Sequence, residues 1–229
     1  MFFILVILQR VNITKSGMKG FINSIIGAWG EAWKKPTFRL SFLMAMLSFS
    51  IFPWKAATYF QWIQQREGII LNDLLLELIP SKNVSYPIFS IIYCTVIYLL
   101  IRLLQTPKTF MWFAWAFNVE TAFRFLTIYL VALNPPLGIV DLHDPVAAIF
   151  IYGENMSITK DLFFSGHTAT MVFACYFLPQ KKEKILAIIL TLILVILLLI
   201  QHVHYTIDII MAPLFTLLAI GITKMWTKN

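Results

Sequence analysis

Charge is scarce in this chain. Asp, Glu, Lys and Arg make up 13% of its 229 residues, where soluble domains carry about a quarter. Charge this sparse excludes a sizeable soluble globular domain, and no linker or low-complexity stretch divides the sequence into parts. Cysteine is nearly absent. Cys94 and Cys175 both lie in apolar segments, which excludes a disulfide framework and a cysteine metal site and leaves two small buried apolar side chains. A basic patch interleaved with aromatics is missing too. The net charge of +7 comes from residues at the ends of apolar runs, so nucleic acid is not an expected partner. The apolar run Phe2 to Leu8 is too short to span a membrane and lacks a small-residue cleavage site, so it does not read as a signal peptide.

What is abundant is apolar side chain, at 59% of the residues. A helix needs roughly 20 residues to cross the hydrocarbon core, so six such helices would use about half the chain and leave short loops. The expected fold class is all-α: a polytopic membrane protein of six transmembrane helices. The expected spans are Arg39 to Phe60, Tyr86 to Leu104, Phe110 to Leu133 (ending at Asn134-Pro135-Pro136), Leu162 to Leu178 (stopped by Pro179), Ile185 to Gln201, and Tyr205 to Thr223. Residues 1–38 form an N-terminal segment, 39–224 the six-helix domain and 225–229 a tail.

Charges between these spans alternate in character. Arg10, Lys15, Lys19, Lys34, Lys35 and Arg39 precede the first span. Arg102 and Lys108 flank the second loop, Lys181, Lys182 and Lys184 the fourth, and Lys224 and Lys228 end the chain. The opposite side carries Lys55, Arg66, Lys82 and Lys160, but also Glu67, Asp73, Glu77, Asp141, Asp144, Glu154 and Asp161. The excess of Lys and Arg puts both termini in the cytoplasm.

The chain has four histidines, His143, His167, His202 and His204. The fourth span opens with Asp161-Leu162-Phe163-Phe164-Ser165-Gly166-His167-Thr168, and the junction of the last two spans reads His202-Val203-His204-Tyr205-Thr206-Ile207-Asp208. By the charge count both segments lie at the non-cytoplasmic face, so His167, His204 and Asp208 are expected to share one membrane face although the two segments are far apart in sequence. His204 and Asp208, at i and i+4, would share one helix face, and the carboxylate would hold the imidazole in one tautomer. Two imidazoles and a carboxylate suit phosphoryl transfer, with one histidine as nucleophile and the other as acid and base. The Ser165-Gly166 step offers backbone N–H groups for phosphate oxygens. The bland alternative is a helix cap and a structural His–Asp pair. Arg124 lies inside the third span, four residues after Glu120. Intramembrane charge marks a functional site by default, here a phosphate-binding arginine positioned by Glu120; the alternative is a local Glu120–Arg124 ion pair.

These residues resemble the sphingomyelin synthase family, within the wider lipid phosphate phosphatase-related superfamily. The family's third motif is similar to Asp161 through Thr168 and its fourth to His204-Tyr205-Thr206-Ile207-Asp208-Ile209. Its first motif is matched loosely by Asn72-Asp73-Leu74-Leu75, and its second by Phe123-Arg124-Phe125-Leu126-Thr127-Ile128-Tyr129 through Asn134-Pro135-Pro136. Lys160 and Thr159 stand where eukaryotic members usually have glycine and cysteine. The resemblance implies six helices around a lipid-accessible chamber. It also implies transfer of a phosphocholine or phosphoethanolamine head group from phosphatidylcholine or phosphatidylethanolamine to ceramide, releasing diacylglycerol. His204 would be the nucleophile, Asp208 its orienting carboxylate and His167 the acid and base. Arg124, Ser165, Gly166, Tyr205, Asp161 and Asp73 are the candidate substrate-binding residues, and Asp141, Asp144 and Glu154 could assist. No metal or cofactor is implied, because the histidines supply acid, base and nucleophile. Association into a homo-oligomer is left open.

Two other readings compete. A lipid phosphate phosphatase or a phospholipase C-type hydrolase uses the same histidine chemistry with water as acceptor. The phosphatase group carries an Arg-Pro dipeptide, absent here, and a Ser-Arg pair where this chain has Leu197 and Leu198, which favours the transferase. A non-catalytic lipid scramblase or membrane scaffold would need a lipid path but not the three site residues together.

Overall fold

A computed structural model describes residues 15–142 and 158–227. His143, Asp144 and Glu154 lie outside the described residues. The chain folds into eight helices among the described residues: α1 (Lys15–Trp33), α2 (Pro36–Gln65), α3 (Leu74–Glu77), α4 (Ser85–Leu104), α5 (Pro107–Leu130), α6 (Gly166–Phe177), α7 (Lys181–Ile200) and α8 (Thr206–Thr227). Their starts are written locally. Pro36 and Pro107 sit in the first turns of α2 and α5, where a missing N–H costs nothing. Gln180 and Glu183 close a capping box on α7. Asp73 caps α3 and Ser165 caps α6 through their side chains.

Four helices are long and apolar enough to cross a membrane: α2, α4, α7 and α8. Their outward sides carry bare apolar residues such as Leu47, Ile97, Leu192 and Leu214. The expected third and fourth spans are not among the four. Helix α5 has 24 residues but carries Lys108, Glu120 and Arg124. Helix α6 has 12 residues, about 18 Å at helical rise. It starts at Gly166, not at Leu162 as the apolar run suggests, because the Ser165 hydroxyl accepts the Thr168 N–H (3.3 Å) and sets the helix start there. The apolar residues before it are buried without being helical: Leu162 is 1% and Phe164 0% exposed.

Short as it is, α6 is central, contacting α4, α5, α7 and α8. Phe173, Ala174 and Phe177 pack in one cluster with Leu99 and Leu103 of α4, Ala116 of α5, Ala187 of α7 and Ile220 of α8. The two ends of this assembly differ. At one end Arg102 pairs with Glu183 (3.2 Å), the Lys184 ammonium donates to Tyr176 O (2.9 Å), and Lys224 lies over the Trp112 ring. Helix α1 is attached at this same end: the Trp29 indole donates to Leu104 O (2.7 Å) and its ring contacts Phe38, Phe42 and Phe110. The other end holds the histidines. There residues 68–69 and 132–134 meet in a short parallel bridge, with Ile69 N donating to Ala132 O and Asn134 N to Ile69 O, both at 3.0 Å. The approach requires glycine, since a Cβ on Gly68 would lie 2.6 Å from the Leu133 carbonyl carbon.

Candidate active site

The site is built on the first turn of α8. Asp208 is fully buried, and each of its carboxylate oxygens has work. Oδ2 accepts the Tyr205 N–H (3.0 Å) and faces His204 Nδ1 at 3.3 Å; Oδ1 accepts the Phe163 N–H at 3.1 Å. The Asp208 carbonyl accepts the Ser165 N–H at 3.0 Å. The start of α8 is thereby tied to the segment that leads into α6. His204 stands two residues before the helix, so it reaches Asp208 from the preceding turn and not from a shared helix face.

His167 lies in the first turn of α6, and its Nδ1 is 3.5 Å from His204 Nε2. Asp208, His204 and His167 therefore form a line. A carboxylate only accepts, so it selects the His204 tautomer with hydrogen on Nδ1 and leaves an Nε2 lone pair directed at His167. Asp208 and His204 are buried while His167 is partly exposed. Chemically, this is a held nucleophilic nitrogen next to a group able to give and take a proton.

Arg124 stands beside the line. Its Nη2 binds both Asp161 oxygens at 2.5 and 2.6 Å, and its guanidinium lies over the Phe164 ring at 5.9 Å. A Cβ on Gly166 would fall 1.6 Å from Arg124 Nη1; the guanidinium occupies the space a side chain would take. The arginine is thus pressed against the N-terminal turn of α6, next to His167. Asp161 is an acidic partner of Arg124, and among the described residues no ion pair joins Glu120 to it. Glu120 is buried, and its Oε1 has no hydrogen-bond partner among the described residues.

The remaining predicted residues hold this end together. Asp73 accepts the Leu75 and Leu76 N–H groups at the start of α3, and also the Thr206 N–H (2.6 Å) and hydroxyl (2.9 Å) at the start of α8. One carboxylate serves two helix N-termini. Ser165 is the α6 cap described above. The Tyr205 hydroxyl accepts the Leu71 N–H (3.2 Å) and donates to Asn134 O (3.0 Å). The Asp141 carbonyl accepts the Gln201 amide N–H at 3.3 Å. Lys160 points away, its ammonium donating to Arg66 O. The four sequence stretches nevertheless converge: Asp73 of the first meets Thr206 of the fourth, Asn134 of the second meets Tyr205 of the fourth, and the third meets the fourth through Phe163, Ser165 and His167.

Sequence reasoning gave no role to Gln201 or His202. The Gln201 side chain accepts the Val84 N–H (2.9 Å) and donates to Ser85 Oγ (2.7 Å). His202, with a positive φ of 55°, places Nδ1 3.0 Å from Leu137 O and Nε2 2.8 Å from Ile79 O. The only signal for either was position, beside a histidine already singled out.

A comparison with curated proteins finds no match to this chain. A comparison with protein families finds one over residues 160–225, which match the model for the PAP2 superfamily C-terminal region. The matched stretch runs from one residue before Asp161 to near the end of α8 and takes in His167, His204 and Asp208. Covering under a third of the chain, the match supports the lipid phosphate phosphatase-related superfamily and lipid phosphatase or phosphotransferase chemistry, without reaching the sphingomyelin synthase family.

Proposed function

We propose that this protein is a membrane phosphotransferase that moves a phosphocholine or phosphoethanolamine head group from a glycerophospholipid to ceramide or a similar lipid alcohol. The observation that carries the reading is the line Asp208–His204–His167, with Arg124 and the start of α6 beside it. In the first step His204 Nε2 attacks phosphorus. The bond to the diacylglycerol oxygen breaks, and protonated His167 gives its proton to that oxygen. In the second step neutral His167 takes the proton of the acceptor hydroxyl. The acceptor oxygen attacks phosphorus, the P–N bond breaks, and His204 is restored. Arg124, the Gly166 N–H and the neighbouring groups at the α6 start hold the phosphate oxygens, and Asp208 stabilises the positive charge that forms on His204. In this reading α5 and α6 complete six crossing segments around a lipid-accessible chamber, with the histidine end on the non-cytoplasmic side.

A hydrolase that passes the phosphoryl group to water has one observation in its favour, the match to a phosphatase superfamily over the histidine-bearing segment. The two differ in the acceptor admitted to His204. Product analysis separates them. Purified protein in liposomes receives fluorescent ceramide with phosphatidylcholine or phosphatidylethanolamine, beside His204→Ala. A head-group-bearing ceramide formed only by the unmutated protein is the expected result and names the head group. Diacylglycerol with free phosphorylated head group, and no ceramide product, would establish the hydrolase.

A further inference from the structure

We infer that α1 lies in the plane of the membrane, its apolar edge sunk into the leaflet at the basic end of the bundle, and that anionic phospholipid head groups are its partner. Met18, Ile22, Ile26, Trp29 and Trp33 recur at spacings of three and four, which places them on one stripe of the helix. Lys19, Asn23, Gly27 and Glu31 run along another face. The bundle covers only part of the apolar stripe. Trp29 is half-buried against Phe38, Phe42 and Phe110, while Met18, Ile22, Ile26 and Trp33 remain exposed. Protein packing does not account for that edge, and α1 is not among the helices long and apolar enough to cross a membrane. Its attachment fixes where it runs. The Trp29 indole is bonded to Leu104 O at the end of α4, and Phe38 and Phe110 belong to the first turns of α2 and α5. A helix pinned to the ends of three others, two of them apolar enough to span, sits at the level of the interface.

Charge supplies the identity of the partner. Lys19, Lys34, Lys35 and Arg39 surround the helix, against one carboxylate, Glu31, which already pairs with Lys34. The same end of the bundle carries Lys184 and Lys224. Amphipathic helices with such flanks lie about 5–10 Å into the head-group boundary, held by apolar area and by attraction to anionic lipid.

Spin labels test this in the full-length protein, reconstituted after Cys94→Ala and Cys175→Ala. Labels are placed singly through Ile22→Cys, Ile26→Cys, Asn23→Cys and Gly27→Cys. Neither flank of Gly27 is crowded, since a Cβ there meets nothing within 4 Å. A label at Leu47, exposed on α2, reports insertion. In vesicles of phosphatidylcholine with phosphatidylglycerol, labels at 22 and 26 are expected to favour collision with oxygen over a water-soluble nickel chelate by several-fold relative to 23 and 27. In phosphatidylcholine alone that contrast is expected to shrink. Four labels equally open to the nickel chelate, with Leu47 still lipid-immersed, would overturn the placement. An undiminished contrast without anionic lipid would overturn the identity of the partner.

Discussion

At the scale of single residues, the arrangement around Asp208 separates orientation from chemistry. Its carboxylate touches His204 and two backbone N–H groups, so removing its charge should disturb the tautomer of His204 before it disturbs the fold. Asp208→Asn keeps a carbonyl oxygen for one N–H and is expected to lower turnover by about 100-fold or more while the protein still inserts, as measured by initial rates on liposomes at equal inserted protein. Unchanged turnover would show that the His204–Asp208 pair is only structural. Gly166 and Arg124 give a coupled prediction. Gly166→Ala must displace the guanidinium that lies against it, so it should reproduce the loss seen in Arg124→Ala. In a double-mutant cycle the two losses should not add. Additive losses would mean that Gly166 acts independently of Arg124. The sequence singled out Arg124 and offered Glu120 as its companion. Glu120 stands at the helical spacing that favours pairing, yet Asp161, far away in sequence, takes the guanidinium. Sequence spacing reports neighbours on one helix; it carries no information about a carboxylate delivered by another segment.

At the scale of elements, each of the six expected spans contains a helix, but only four of those helices are long and apolar enough to cross a membrane. Helices α2, α4, α7 and α8 announce themselves by long uncharged runs, because nothing but apolar side chains can face hydrocarbon. Helix α6 is enclosed by four neighbours and needs no such length, and its true start is set by a serine hydroxyl within an apolar run. The functional motifs were legible in the same uneven way. His167, His204 and Asp208 could be brought to one face by charge counting alone. Asp73 was singled out for the substrate, whereas its carboxylate is engaged at two helix N-termini, and the Asn72-Asp73 step before three leucines already carries a capping signal. Tyr205 ties elements together through its hydroxyl, which satisfies Leu71 N and Asn134 O inside a side chain 1% exposed. Tyr205→Phe strands both groups, so a loss of about 1–3 kcal/mol is expected. A lowered thermal midpoint in detergent, with the histidine chemistry retained below it, is the outcome that checks this; an unshifted midpoint would show the bridge to be dispensable.

At the scale of the whole molecule, the two ends have different compositions and different tasks. Basic residues and α1 gather at one, and the candidate active site and its acidic companions gather at the other. We propose, from the excess of Lys and Arg there, that the first end lies in the cytoplasm. A reporter fused after Lys228 is therefore expected to be active only in its cytoplasmic form; activity of the exported form would reverse the orientation and place the histidines on the inner face.

The connection between α7 and α8 is short, yet it bonds to two other stretches at the histidine end, residues 79–85 and 134–141. Lys82 N donates to Ile200 O, Val140 N to Gln201 O, and His202 faces two carbonyls, and residues 201–205 are themselves buried. Loops ordinarily tolerate insertion and vary freely. This one behaves as interior, so labels belong elsewhere: the exposed side chains of Lys181 and Lys182 at the other end of α7 offer an engineer a place to attach a probe without breaking the capping box, and residues 201–205 offer none.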